Sequence, residues 1–266
     1  MSLRLTLAQA LAGTQDRPLA GMWVCSGSPL VAEICAGAGL DWLLIDMEHS
    51  PNGLESVLAQ LQAAAAYPVT PVVRVPVNDT VVLKQVLDLG AQTVLVPMVS
   101  SAQEAQAAVE AVRYPPRGRR GVGSALARSA RWNRIEGYLT SADDHVSLFV
   151  QIETAAGVEA AGEIAAVDGV DGVFVGPSDL AASMGVIGQQ SHPDVVAAVR
   201  RTFEAVRGAG KPVGVNAFDP QVARGYADDG AQFILVGADV ALLARGSEAL
   251  AAQWVPEAER SDRASY

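Results

Sequence analysis

The stretch DWLLIDMEHSPNGLESVLAQLQAAAAYPVTPVVRVP, residues 41–76, decides the fold. It opens on an apolar run, Trp42 to Met47, of the near-continuous kind that strands buried on both faces require. From Gly53 the pattern changes: in GLESVLAQLQAAAA apolar residues recur at three- and four-residue steps, the stripe of an amphipathic helix. A second apolar run, Pro71 to Val75, follows it. Working outward, the same alternation continues in both directions. The strand candidates are Ala20 to Cys25, Trp42 to Met47, Pro71 to Val75, Thr93 to Pro97, Ser147 to Gln151, Gly172 to Val175, Pro212 to Val215 and Phe233 to Val236. Helical patterns such as DTVVLKQVLDLG, SAQEAQAAVEAVR and HPDVVAAVRRTFEAVRGAG lie between them, and Gly90, Gly210 and Gly230 close several with the left-handed cap that glycine adopts cheaply. Eight βα repeats over about 250 residues have the dimensions of a (β/α)₈ TIM barrel, an α/β fold with a parallel eight-stranded barrel. A doubly wound sheet would carry fewer strands and a glycine-rich turn after the first, where this chain has only SGSP.

With 266 residues, half of them hydrophobic and 18% charged, the chain can bury a large core as a single domain over 1–266, with a polar tail at about 256–266 expected to fray. Nineteen Lys and Arg against 29 Asp and Glu leave a net charge of −10, which argues against nucleic acid or an anionic membrane surface as partners. The start MSLRLTLAQALAG lacks a cleavage-site pattern and there is no bilayer-spanning run, so the expected localisation is cytoplasmic. Cys25 and Cys35 form no CxxC pattern and are read as buried thiols.

In such a barrel the reacting groups sit at the C-terminal ends of the strands. There the chain places Asp46, Glu48 and His49 after strand two, Arg74 in strand three, Gln151 and Glu153 at strand five, and Ser178 and Asp179 after strand six. Glu153 and Asp179, 26 residues apart, end neighbouring strands, so their carboxylates can converge on one oxygen-liganded cation such as Mg²⁺ or Mn²⁺. The structural alternative makes Asp179 a helix N-cap and Glu153 half of a salt bridge. Ser178 and Asp179 open a helix whose free amides favour an anionic group. Arg74, in an otherwise apolar strand, is read as facing an anion or oxyanion, or else as bridging to a barrel carboxylate. His49 follows two carboxylates, either of which could orient its ring and keep it basic.

Other polar residues carry less. His145 reads as a solvated loop residue, His192 as helix-entry punctuation, and Asp88 alone as a solvated helix position. Tyr114 to Ser124, YPPRGRRGVGS, could close over an anionic substrate or be a mobile loop; its spacing fits neither a P-loop nor GxGxxG. Ser26 and Ser28 lack identifiable triad partners. A lysine Schiff base is disfavoured, since Lys84 falls mid-helix and Lys211 precedes strand seven at the end opposite the carboxylates.

WLLIDMEHSPNG, VVRVPVND, LDLGAQTVLVPMV, YPPRGRRGVG, QIET and GVFVGPSDL occur in the order and approximate spacing of the HpcH/HpaI class II aldolases, which the chain resembles from about Gly21 to Gly246. The resemblance implies a divalent-metal-dependent lyase (Mg²⁺, Mn²⁺ or Co²⁺) that makes and breaks 4-hydroxy-2-oxo acids, with pyruvate or a close 2-oxo acid and an aldehyde as small-molecule partners. It implies Glu153 and Asp179 as metal ligands with Gln151 beside them, and Arg74 at the pyruvyl oxygens. His49 and Asp46 are implied in proton transfer, and Asp88 as a carboxylate reaching a neighbouring subunit's site. It also implies a homo-hexamer, a trimer of dimers, whose paired subunits exchange the last helix around SEALAAQW. A CoA-thioester lyase or an enolate-forming decarboxylase on the same barrel, and a non-catalytic barrel, are the competing expectations.

Overall fold

The computed structural model describes residues 3–13 and 16–255. The tail expected at 256–266 lies outside the described residues. Eight strands run β1 Leu19–Val24, β2 Trp42–Asp46, β3 Thr70–Arg74, β4 Thr93–Val96, β5 Ser147–Ile152, β6 Gly172–Val175, β7 Val213–Asn216 and β8 Phe233–Ala238. Each pairs with the next in parallel and β1 pairs with β8, so the sheet closes in sequence order as a (β/α)₈ barrel. No strand boundary departs from the sequence reading by more than two residues, because long apolar runs bounded by turn residues leave little freedom in where a buried strand starts.

Period-two alternation sorts each strand into an inner and an outer face. Leu44, Val72, Leu95, Phe149, Phe174, Phe233 and Leu235 point inward and fill the barrel, with Phe149 and Phe233 packed edge to face at 5.3 Å. Ile45, Val73, Val94, Val150, Val173 and Val215 point outward against the helices. The apolar start of the chain forms the helix Leu7–Gly13, whose Leu7 enters the inner cluster and closes the N-terminal end of the barrel. Gly90, Gly210 and Gly230 have φ of +97°, +74° and +105°, as their helix-ending role requires.

Two features depart from regular βα repetition. Between the helix Ala102–Val112 and β5 the chain makes a long excursion through turns, the one-turn helix Tyr138–Ser141 and the 3₁₀ turn Ala142–His145. His145 stacks on Tyr138 there with rings 6.1 Å apart, so the solvated-loop reading is corrected to a packed one. The last helix, Asp239–Trp254, touches the barrel chiefly near its start. Asp239 is its one buried residue and accepts the backbone N–H groups of Cys25 and Ser26, while Leu242, Leu243, Leu250 and Trp254 are exposed.

Candidate active site

The parallel register of β2 and β3 sets Asp46 directly beside Arg74 at the C-terminal end of the barrel. The two side chains form a two-point pair: Arg74 donates Nε–H to Asp46 Oδ1 at 2.7 Å and Nη2–H to Oδ2 at 2.9 Å. Asp46 also accepts the backbone N–H groups of Glu48 and His49, so the turn after β2 wraps around its carboxylate. Arg74 Nη1 lies 2.9 Å from Glu48 Oε2, an ion pair whose angle falls outside a hydrogen bond. The guanidinium lies over the Trp23 ring, 4.3 Å from its centre, and the Trp23 indole N–H donates to Asn216 Oδ1 at 2.7 Å. Arg74 is thus locked on three sides, and both sequence alternatives for it meet here. It bridges to a barrel carboxylate, and it still holds donors beyond the two that Asp46 takes.

Across the barrel mouth, Glu153 follows β5 and is 2% exposed. Its Oε1 accepts the Met98 backbone N–H at 2.8 Å, and its Oε2 accepts an amide hydrogen of Gln151. Met98, just past β4, takes φ +57°, a left-handed conformation that costs a non-glycine residue and here aims its N–H at the carboxylate. Gly176 completes the cradle from β6. A Cβ there would come within 2.7 Å of Glu153 Oε2 and 2.8 Å of Gln151 Nε2. Burial pushes the Glu153 carboxyl up to about 7; the Met98 N–H opposes this, while the charges of Glu48 and Asp179 add to it. Burial likewise raises Glu48, with Arg74 and His49 working against it.

Asp179 lies in the first turn of the short helix Pro177–Ser183, exposed beside Ser178 at the mouth. No N-cap hydrogen bond involves it; Gly176 is the cap residue. His49 stands at the rim with its side chain 65% exposed and Nε2 3.9 Å from Glu48 Oε2. Since Asp46 is taken up by Arg74 and two backbone amides, the carboxylate nearest the imidazole is Glu48. Asp88 stays apart from this cluster. It ends the helix Thr80–Asp88, which leads from the top of β3 back to the bottom of β4, and pairs there with Arg120.

The arginine-rich segment departs from the sequence reading and Cys25 is only partly buried, whereas the readings of Lys84, Lys211 and His192 hold. The arginines of Tyr114 to Ser124 do not hang over the mouth: Arg117 pairs with Asp143 and Asp168, Arg119 lies 3.8 Å from Glu110, and Arg120 is buried on Asp88. Lys211 donates to the Val170 carbonyl at 2.7 Å beside Pro212 and β7's start, and Lys84 sits in the middle of its helix. Ser28 caps the helix Pro29–Ala36, and His192 caps Pro193–Gly208. Both cysteines are free, and burial raises Cys25 to about 12 and Cys35 to about 11, so neither is poised as a thiolate. Glu48, Trp23, Met98 and Gly176 are the contributors that sequence reasoning undervalued or missed. Only Glu48, one residue from His49, carried a signal.

A closed parallel barrel whose mouth gathers four carboxylates, a clamped arginine and a rim histidine defines a class: barrel enzymes whose strand-end residues can stabilise a developing oxyanion. The chain belongs to the HpcH/HpaI aldolase/citrate lyase family, whose sequence model matches residues 19–246, and it is a carbon–carbon lyase of the aldolase type. It is 55% identical over 249 residues to the hydroxypyruvate/pyruvate aldolase of Deinococcus radiodurans, covering 94% of this chain and 89% of that protein. It is 53% identical over 242 residues to the 4-hydroxy-2-oxo-heptane-1,7-dioate aldolase of Shigella sonnei, covering 91% of this chain and 92% of that one. The crystal structure of an HpcH/HpaI aldolase/citrate lyase family protein from Burkholderia cenocepacia superposes with a TM-score of 0.88 at 43% identity, covering 93% of this chain and 98% of that one.

Proposed function

We propose that the protein catalyses reversible aldol cleavage of 4-hydroxy-2-oxo acids to pyruvate, or a close 2-oxo acid such as hydroxypyruvate, and an aldehyde. A divalent cation, Mg²⁺, Mn²⁺ or Co²⁺, is held by Glu153 and Asp179 in this reading. The observation that carries it is the charge imbalance of the mouth. Burial, with the charges of Glu48 and Asp179, raises the cost of ionising Glu153, and burial, with the charges of Asp46 and Asp179, raises that of Glu48, while Arg74 is already matched by Asp46. Gln151 Oε1, buried beside Glu153, has no hydrogen-bond partner among the described residues. A hard cation with open positions fits both the surplus of negative charge and the all-oxygen donor set. Two protein carboxylates suffice for such a site, and among the described residues no group of three or more His, Cys, Asp or Glu is placed to hold an ion.

When bound, the cation supplies Lewis acidity that makes the C3 protons of the 2-oxo acid easier to remove. The chain's own residues do the rest. Arg74, fixed by Asp46 and Trp23, directs its remaining N–H donors at the developing enolate oxygen without having to reorganise. Gln151, fixed on Glu153, lines the same end of the pocket. His49, at the open rim where the aldehyde half lies, takes the proton of the 4-hydroxyl during cleavage and returns it during addition.

The exposed apolar residues of the helix Asp239–Trp254 support the further reading that two copies exchange this helix within a homo-hexamer. In that assembly Asp88 enters the site of a neighbouring copy and orients His49, a role left open by Asp46's commitment to Arg74. Among the described residues no helix is long and apolar enough to cross a membrane, and the expectation of a cytoplasmic enzyme without nucleic acid partners stands as part of this proposal.

The test is a panel of 4-hydroxy-2-oxo acids assayed for pyruvate release by chelated and metal-restored protein. Metal-dependent release from at least one member supports the assignment, and failure across the panel with every ion overturns it.

A further inference from the structure

Arg120 has a side chain with 0% exposure and a single charged partner, Asp88, reached through Nη2 at 3.2 Å. Its guanidinium lies 4.6 Å over the Tyr114 ring, and its Nε and Nη1 find no acceptor among the described residues. The backbone is pinned on either side of the bend: Arg119 N–H donates to the Glu110 carbonyl and Arg120 N–H to that of Arg113. A buried guanidinium with two unsatisfied donors is a poor way to stabilise a fold, and hydrophobic side chains usually do better. Its geometry is instead well suited to holding one carboxylate still. Asp88 gives Oδ1 to Arg120 and remains 27% exposed, and its Oδ2 faces Gly123, where a Cβ would stand 3.6 Å from that oxygen.

We propose that Arg120 is a positioning residue for catalysis, acting through Asp88: it fixes one carboxylate oxygen from within its own subunit so that the other is presented outward to a neighbouring copy. This rests on the reading that Asp88 serves another subunit's His49. Lys84, one turn earlier on the same helix, and the half-buried Arg128 and Arg131, beside Gly90 just past its end, form no ion pair with Asp88. Arg120 is therefore the one cation that holds this carboxylate among the described residues.

The test is subunit complementation. Arg120→Met should lower kcat by about 10-fold or more while the KM for the 2-oxo acid moves less than about twofold, because Arg74, Gln151 and Glu153 in the same chain are untouched. Arg120→Met subunits are then co-assembled with Glu153→Gln subunits, themselves inactive. The intact Glu153 site of one subunit now meets the intact Arg120–Asp88 pair of its neighbour, and random mixing should restore about a quarter of parental turnover. Asp88→Asn mixed with Glu153→Gln is the control, and should recover to the same extent. Recovery in the control without recovery for Arg120→Met makes Arg120 a residue of its own subunit's site or fold and overturns the proposal. No recovery in either mixture refutes the role of Asp88 between subunits, and with it this inference. If Arg120→Met does not assemble, Arg120→Lys replaces it, since an ammonium in the same slot keeps the charge and loses the flat guanidinium that lies over Tyr114 and reaches Asp88. Failure of both variants to fold assigns Arg120 to stability and equally overturns the proposal.

Discussion

Asp46 and Arg74 are register partners at the ends of β2 and β3, and both carboxylate oxygens of Asp46 are taken by the Arg74 guanidinium at 2.7 and 2.9 Å. The pair is buried on both sides, with side-chain exposures of 1% and 6%. Removing one partner leaves the other charged and out of water. Asp46→Asn is therefore expected to destabilise the protein by about 3–5 kcal/mol, the usual cost of breaking a buried pair. In a chain of this size that corresponds to a Tm lower by roughly 10 °C. A melt within about 2 °C of the parent would show that the pair contributes little to folding.

Arg74→Lys keeps the charge and tests geometry alone. A lysine ammonium cannot reproduce a planar fork that grips Asp46 at two points, lies flat on Trp23 and still aims donors at substrate. Turnover is expected to fall by about 100-fold or more, as for loss of one preorganised donor. A folded variant whose kcat stays within about threefold of the parent refutes the role.

The Asp46–Arg74 pair also marks where sequence reading stops. Each residue stood out alone, as a charge ending an apolar strand, but 28 positions separate them and only the parallel register makes them adjacent. The eight strands were legible because double-sided burial writes itself as continuous apolar runs. Met98 and Gly176 carry no such mark: one contributes a backbone N–H from a left-handed turn, the other an absent side chain. The arginines of Tyr114 to Ser124 misled for the same reason. Arg117's partners Asp143 and Asp168 are brought to it by the long excursion before β5 and by the turn before β6, which have no period to read.

His49→Ala separates a proton carrier from a metal ligand. The ring stands exposed at the rim, 3.9 Å from Glu48, so its loss should slow retro-aldol turnover by about 100-fold or more while leaving metal affinity nearly unchanged. Calorimetric titration with Mn²⁺ checks the second half. A collapse of affinity makes His49 a ligand and the assignment wrong.

Glu153 should destabilise the metal-free protein in a pH-dependent way. Its carboxyl titrates near 4.5 in an unfolded chain and at about 7 when folded, so the native state binds the extra proton across that window. Stability from this group is consequently lost as pH rises from about 4.5 to about 7 and stays low above it. With chelator present at pH 8, Glu153→Gln is expected to melt above the parent, by an amount on the order of a few kcal/mol at most, and the gain should vanish near pH 5. A variant less stable than the parent at pH 8 would contradict the cost assigned to burying this charge.

Chelation and trapping together separate metal-assisted enolate formation from a lysine Schiff base. In the proposed site, Glu153 just past β5 and Asp179, exposed in the first turn of the helix after β6, do not form a closed cage, so a cation held there should exchange readily. Chelation should abolish activity. Mg²⁺, Mn²⁺ or Co²⁺ should restore it at rates that differ with Lewis acidity and preferred geometry. Neither lysine is placed to attack a carbonyl at the barrel mouth: Lys211 is engaged with the Val170 carbonyl beside the start of β7, and Lys84 projects from the middle of a helix. Lys84→Ala and Lys211→Ala should accordingly keep turnover within about twofold, and borohydride with pyruvate should leave the protein mass unchanged. Full activity in a verified metal-free sample, or a reduced pyruvyl adduct on either lysine, would overturn the mechanism while leaving the barrel intact.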